Sequence, residues 1–186
     1  LLDMLAAAGA PPMSEGTLTE ARETYVAMRD LVDAEPTELA IIKDLTCPGP
    51  GGEIKLRYYD SRENRAAGPV IMFYHGGGFV IGDLETHHPY CTEMAAQMDL
   101  PIVAVDYRLA PEAPYPAAPD DCEAATRWVV DNAMAALGIE IDSIITCGDS
   151  AGGNLAIVVA QQLQITPAAV PVIVQVPIYP VVDSSW

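Results

Sequence analysis

The sequence predicts an α/β fold: a mostly parallel sheet with helices on both faces. Three observations carry that expectation. Short, nearly continuous apolar runs rich in Val and Ile recur between residues 69 and 179, helical segments separate them, and Gly and Pro cluster where the runs end. Strands buried on both faces read as unbroken apolar runs, and parallel strands need a crossover helix between them. Ligand sites in such sheets lie at the carboxyl ends of strands. With 186 residues, 51% of them hydrophobic, the chain can enclose one substantial core.

Residues 1–35 read as helical. The opening "LLDMLAAAGAPP" has no basic leader and is interrupted by Asp3, so it reads as an amphipathic helix rather than a signal peptide. Leu18, Arg22, Tyr25, Met28, Leu31 and Val32 then recur at helical spacing, with Thr19 placed as N-cap. "LAIIKDLTC" and "EIKLRYYD" flank the turn-rich "PGPGG", which predicts a hairpin of Leu39–Cys47 with Glu53–Asp60. "PVIMFYH", "PIVAVDY", "SIITCGD" and "PVIVQVPIY" are the expected parallel strands, separated by helices near Thr86–Met98, Ala118–Leu137 and Ala151–Leu163. There is no internal repeat and no low-complexity linker. The first residue is Leu rather than Met, so residues are expected to precede it.

Composition excludes several function classes. A formal charge of −17 would repel nucleic-acid phosphates and anionic membrane surfaces. No run reaches the length of a membrane span, which argues against integral membrane association. Cys47, Cys91, Cys122 and Cys147 show no CxxC spacing and no nearby His pair, so no metal site is expected and free thiols in a reducing, cytoplasmic compartment are.

Three motifs carry chemistry. Gly148-Asp149-Ser150-Ala151-Gly152 fits G-x-S-x-G between a strand and a helix. A sharp turn there would hold Ser150 in a strained conformation and demand glycine two residues to either side. The following helix would aim its N-terminal N–H groups at the serine. An ordinary strand–helix turn remains the alternative for this motif alone. The second motif is "YHGGGFVIGD", Tyr74 to Asp83, after an expected strand. Consecutive glycines leave N–H groups unshielded for an oxygen that becomes an oxyanion in acyl transfer, each donor being worth about 3 kcal/mol. A phosphate cradle is disfavoured, because no Lys or Arg lies nearby and no GK[ST] follows. The third motif is "DYRLAPEAPYPAAPDD", in which Asp106, Arg108 and Glu112 are expected to form a local ion network that serves as scaffold.

"HGGGF", "DYRLAPE" and "GDSAGGN", in this order on successive strands, resemble the hormone-sensitive-lipase family of α/β-hydrolases, in its bacterial esterase and lipase branch. The resemblance runs to Trp186 and implies an α/β-hydrolase fold. It implies an N-terminal helical cap over residues 1–35 and the N-terminal part of the catalytic domain over residues 36–186. It further implies a carboxylic ester hydrolase that works through a serine acyl-enzyme on small or short-to-medium acyl esters, without cofactor or metal. By position, Ser150 is the implied nucleophile, and the N–H groups of Gly77, Gly78 and Ala151 the implied oxyanion hole, with Gly76 a less certain contributor. His75 is implied to be structural. Family members place an acid and a histidine after the nucleophile. Here no histidine follows Ser150 and Asp183, the one carboxylate that does, lies too close behind its strand. The base and acid are therefore expected beyond residue 186, in a C-terminal portion absent from this chain. His87 and His88 are expected to face solvent or the cap. A homodimer is left open. The alternative reading is a small-molecule binder without turnover, as in the plant gibberellin receptors that resemble the same fold.

Overall fold

The computed structural model describes residues 16–183. The helix expected within residues 1–15 lies outside them. Helix α1 (Leu18–Val32) is followed by the strands β1 (Ile41–Gly49) and β2 (Gly52–Asp60), then β3 (Gly68–Tyr74), helix α2 (His88–Met98), β4 (Ile102–Asp106), α3 (Ala117–Leu137), β5 (Ile141–Asp149), α4 (Ala151–Ile165) and β6 (Val172–Ile178). The six strands form one sheet in the order β1-β2-β4-β3-β5-β6. β1 and β2 form the expected hairpin, with Gly49 opposite Gly52, and β2 runs antiparallel to β4. From β4 onward all pairings are parallel. Each parallel step is bridged by a helix, as the apolar runs and their spacing required.

The pleat divides the core into two layers. Val70, Met72 and Tyr74 of β3 join Val103 and Val105 on the face covered by Cys122, Ala125 and Val129 of α3 and Leu155, Ala156 and Val159 of α4. Ile71 and Phe73 point the other way, with Ile102, Ala104 and Cys147, against Cys91 and Ala95 of α2. β6 is an edge strand, and Ile173 and Val174 are 55% and 45% exposed. All four cysteines are buried and unpaired. Among the described residues no helix is long and apolar enough to cross a membrane, and no three His, Cys, Asp or Glu side chains group to hold a metal ion.

Three local expectations are corrected. The N-cap of α1 is Thr17, not Thr19: its hydroxyl accepts from the Glu20 N–H while Glu20 reaches back to the Thr17 N–H, a reciprocal pair that Thr19 has no partner to form. α2 begins at His88 rather than Thr86. The Asp83 carboxylate accepts from the Glu85 and Thr86 N–H groups, and Thr86 Oγ1 accepts from the Asp83 N–H, which closes a turn ahead of the helix. Asp106, Arg108 and Glu112 do not form one network. The Arg108 guanidinium grips the fully buried Asp121 at 2.8 Å through both Nε and Nη2. Glu112 instead accepts from Arg22 of α1 at 2.7 and 2.9 Å. Asp106 stands apart, its carboxyl pushed above the usual range by burial and by the nearby Asp83. Proximity in sequence misjudged these partners because a helix start and a distant helix brought better ones.

Candidate active site

β3 and β5 are neighbours in the sheet and in register at their carboxyl ends, Tyr74 lying opposite Gly148. The chain leaving β3 is His75-Gly76-Gly77-Gly78, and the chain leaving β5 is Asp149-Ser150. Adjacent parallel strands therefore bring the glycine loop and the G-x-S-x-G turn together, at the end of the sheet where open α/β folds bind ligands.

Ser150 sits between β5 and α4 with φ 53° and ψ −114°. A non-glycine residue in such a conformation costs about 1–3 kcal/mol and persists only where its surroundings enforce it. Here they do. The Ser150 N–H donates to the Ile178 carbonyl at 2.9 Å and its own carbonyl accepts from the Asn154 and Val181 N–H groups. A Cβ on Gly148 or Gly152 would overlap the Tyr74 carbonyl oxygen, so strand and helix cross only because both residues are glycine. The Ser150 side chain makes no hydrogen bond among the described residues. Ala151, the first residue of α4, is fully buried, and its N–H belongs to the helix start, whose donors have no intrahelical acceptor.

In the glycine loop, Gly77 has φ +121°, and its carbonyl accepts from the Val80 and Ile81 N–H groups at 3.0 Å. A Cβ there would overlap the Ile81 carbonyl oxygen. Among the described residues the Gly77 and Gly78 N–H groups have no acceptor. Gly76 differs: its N–H is already given to the Asp149 carboxylate at 2.8 Å, so it is not a donor for a substrate.

His75 is buried. Its ring stacks on Tyr107 with centroids 4.3 Å apart, the Tyr107 hydroxyl donates to the His75 carbonyl at 2.6 Å, and Nδ1 lies 2.7 Å from the Gly76 carbonyl. Burial pushes its pKa down to about 4, so the ring is neutral at pH 7. Of the two histidines expected to face solvent or the cap, His87 lies against Tyr25 of α1, and both are only partly exposed. His88 Nδ1 meets the Tyr59 hydroxyl at 3.1 Å, and burial followed by the Arg57 charge holds its pKa below the ordinary value. His87 places Nε2 3.2 Å from Asp149 Oδ1 beneath the Ser150 turn. Burial would raise the Asp149 carboxyl, but the His87 contact and the Gly76 N–H outweigh it and hold the group below the usual carboxylate range. Sequence reasoning missed this contact. The one signal available was an acid inside the small-residue motif, and its partner lies far away in the chain.

Two cavities border the turn. One, of about 410 Å³, is lined by Gly78, Phe79, Ala113, Pro116, Leu155 and Val158 among others. The other, of about 370 Å³, lies on the α1 side and includes Tyr25, His87, Tyr90, Asp149 and Tyr179. α1 reaches over the glycine loop through Arg22, which donates to the Val80 and Ala110 carbonyls at 3.0 and 3.2 Å.

Known proteins are similar to this chain. The profile of the α/β hydrolase fold matches residues 71–185. The chain is 47% identical over 127 residues to esterase LipI of Mycobacterium tuberculosis, an alignment covering 67% of this chain and 39% of the relative. It is 36% identical over 177 residues to an ethyl acetate hydrolase of Pseudomonas putida, covering 94% of this chain and 55% of that one. The crystal structure of a serine-to-alanine variant of LAE6, an α/β hydrolase from the metagenome of Lake Arreo, superposes with a TM-score of 0.90 at 36% identity, over 100% of this chain and 58% of that one. The chain thus spans about half the length of the relatives it matches. With a serine on a strained strand–helix turn, a glycine loop on the neighbouring strand and this profile over most of its length, the chain belongs to the α/β hydrolase fold family, on the hormone-sensitive-lipase branch with the mycobacterial esterases.

Proposed function

We propose that the protein carrying this chain is a carboxylic ester hydrolase with Ser150 as nucleophile. The observation that carries the reading is the strained Ser150 turn at the end of β5, beside a glycine loop whose Gly77 and Gly78 N–H groups have no acceptor among the described residues. The Ser150 oxygen attacks the ester carbonyl carbon and its proton passes to a base. The carbonyl oxygen becomes an oxyanion facing the N–H groups of Gly77, Gly78 and Ala151. Collapse expels the alcohol, which takes up the proton, and water then attacks the acyl-serine by the same route. We place the base and its orienting acid outside residues 1–186. His75 is stacked and buried, His87 and His88 are engaged elsewhere, and no histidine follows Ser150. Neither step needs a metal or cofactor.

The 410 Å³ cavity, walled by Phe79, Pro116, Leu155 and Val158, suits one apolar arm of a small or short-to-medium acyl ester. Residues 1–35 are proposed to act as a cap, since α1 already bonds the loops around the site through Arg22. Four buried, unpaired thiols support a reducing compartment, the cytoplasm. The test is hydrolysis of p-nitrophenyl acetate and butyrate by the natural protein and by its Ser150→Ala variant. A loss of about a millionfold in kcat is expected. Residues 1–186 alone should keep no more than the roughly 10³–10⁴-fold acceleration that an oxyanion hole and binding supply without a triad. Turnover unaffected by Ser150→Ala refutes the assignment, and tight binding of an ester without turnover by the natural protein would favour the receptor-like alternative.

A further inference from the structure

The Asp149 carboxylate has no part in the acyl-transfer scheme, yet it joins the two halves of the site. It belongs to the strand that presents Ser150, and its Oδ1 accepts the N–H of Gly76, the first glycine of the neighbouring loop, at 2.8 Å. The contact is close-packed, for a Cβ on Gly76 would overlap Asp149 Oδ2. The same Oδ1 faces His87 Nε2 at 3.2 Å, and the two side chains are only 15% and 12% exposed. An ionised carboxylate can only accept, so Nε2 carries the proton and donates it. Nδ1, on the far side of the ring, lies 3.0 Å from Thr86 Oγ1, which is itself tied to the Asp83 backbone. The ring is walled by Phe73 of β3, by His75 and by Tyr25 of α1, at centroid distances of 5.8, 5.6 and 6.4 Å. His87 is thus fixed from several elements, with Nε2 set 3.2 Å from the acid beside Ser150.

We propose that Asp149, held by His87, is a positioning pair that ties the glycine loop to the Ser150 turn and thereby aims the Gly77 and Gly78 N–H groups. The proposal deepens the esterase reading and rests on it. Oxyanion donors accelerate a reaction only if they are fixed before charge develops. Three consecutive glycines fix nothing by themselves, because each explores a wide range of backbone angles. Anchoring the Gly76 N–H removes the first degrees of freedom of the loop and refers the remainder to the strand that bears the nucleophile. His87 shares the carboxylate, so that Asp149 cannot rotate away toward water. His87 is no base in this arrangement, since the nitrogen nearest the serine turn is occupied as a donor.

Because oxyanion donors act in the transition state, loosening them lowers kcat and leaves KM nearly unchanged. The experiment compares p-nitrophenyl butyrate hydrolysis by the natural protein with that of His87→Phe, which keeps the ring packing and removes the donor, and Asp149→Ala. His87→Gln keeps a donor and Asp149→Asn keeps an acceptor for Gly76. The first pair should lose about ten- to hundredfold in kcat, the scale expected when reacting groups shift by an ångström. Their KM should stay within about twofold, and the conservative pair should recover most of the loss. A smaller loss of kcat, a loss carried by KM, or no recovery in either conservative variant overturns the proposal. Amide exchange decides if Asp149→Ala does not fold. The Gly76 amide should exchange faster in His87→Phe while the β5 amides do not, and an unchanged Gly76 amide overturns the proposal. Ser150→Ala run alongside separates the two ideas. Retained turnover there refutes the nucleophile, whereas a dead Ser150→Ala beside a fully active His87→Phe refutes only the positioning pair.

Discussion

Replacing Gly152 by alanine should open the junction between β5 and α4, and the size of the effect follows from what the new methyl group meets. It would overlap the Tyr74 carbonyl oxygen and lie 2.6 Å from the Tyr74 carbonyl carbon and 2.7 Å from the His75 carbonyl oxygen. All three are backbone atoms at the end of the central strand β3, so no side-chain rotation relieves the clash. Overpacking of this kind costs about 1–3 kcal/mol, and a rigid backbone wall puts it at about 3 kcal/mol. Alanine in a helix returns at most about 1 kcal/mol relative to glycine. The net destabilisation is then about 2 kcal/mol, which for a domain of this size lowers Tm by roughly 4–8 °C. Gly153 is the internal control. It is the next residue in the same helix, but its methyl would come no nearer than 3.1 Å to Gly148 O, Ile178 O and Pro180 Cα. A small adjustment there is offset by helix preference, so Gly153→Ala should fall within about 0.5 kcal/mol of the parent. Scanning calorimetry of the two variants beside the parent is sufficient. Equal melting of both variants, or a Gly152→Ala Tm within about 1 °C of the parent, would refute the steric account of the turn.

Two further outcomes follow from buried titratable groups. His75 has its folded-state pKa pushed from 6.5 down to about 4 by burial, so between these values the unfolded chain binds the extra proton and the folded one does not. Stability should therefore fall on acidification from pH 6.5 to 4, by up to about 3 kcal/mol, and a His75→Asn variant should lose that slope in urea titrations across the window; parallel slopes would refute it. Arg108→Met removes the guanidinium from a fully buried Asp121 and should cost about 2–3 kcal/mol, below the usual range for buried pairs because Arg108 is 38% exposed. Arg108→Met with Asp121→Leu should recover more than half of that loss in urea unfolding, and a single-variant cost under about 1 kcal/mol would contradict the pairing.

How much of this was legible in the sequence depends on whether a residue's own chemistry encoded the feature. The parallel strands were, because burial on both faces writes itself as nearly continuous apolar runs such as Val70–Tyr74 and Ile144–Cys147. The Ser150 turn was, because its crossing tolerates no Cβ at Gly148 or Gly152 and so dictates residue type. The insertion of β4 between β2 and β3 was not, since strand order is decided by pairings between distant segments. Charged partners were least legible. Arg108 chose Asp121 at the start of α3, Glu112 chose Arg22 of α1, and His87 chose Asp149 across the sheet's end. An acid and a base carry no mark of which of several opposites the fold will deliver. The Gly76 amide shows the same limit within the site, for its sequence position matches its neighbours while its bond to Asp149 sets it apart.

Arg22 joins α1 to Val80, Ala110 and Glu112 and Arg29 joins it to Glu85 at the rim of the site, whereas β3 lies at the centre of the sheet with β5 beside it and helices on both faces. These two kinds of attachment imply two kinds of opening. Amides of β3 and β5 can meet solvent only when the whole core comes apart, so the elbow and the strand beneath the glycine loop persist as long as the molecule stays folded. The helix is held mainly by two partly exposed arginines, Arg22 and Arg29, and by Tyr25 against His87, so it can open locally within that lifetime, because water replaces such polar bonds at little cost. The strands beneath the site and the helix bonded at its rim therefore keep separate clocks.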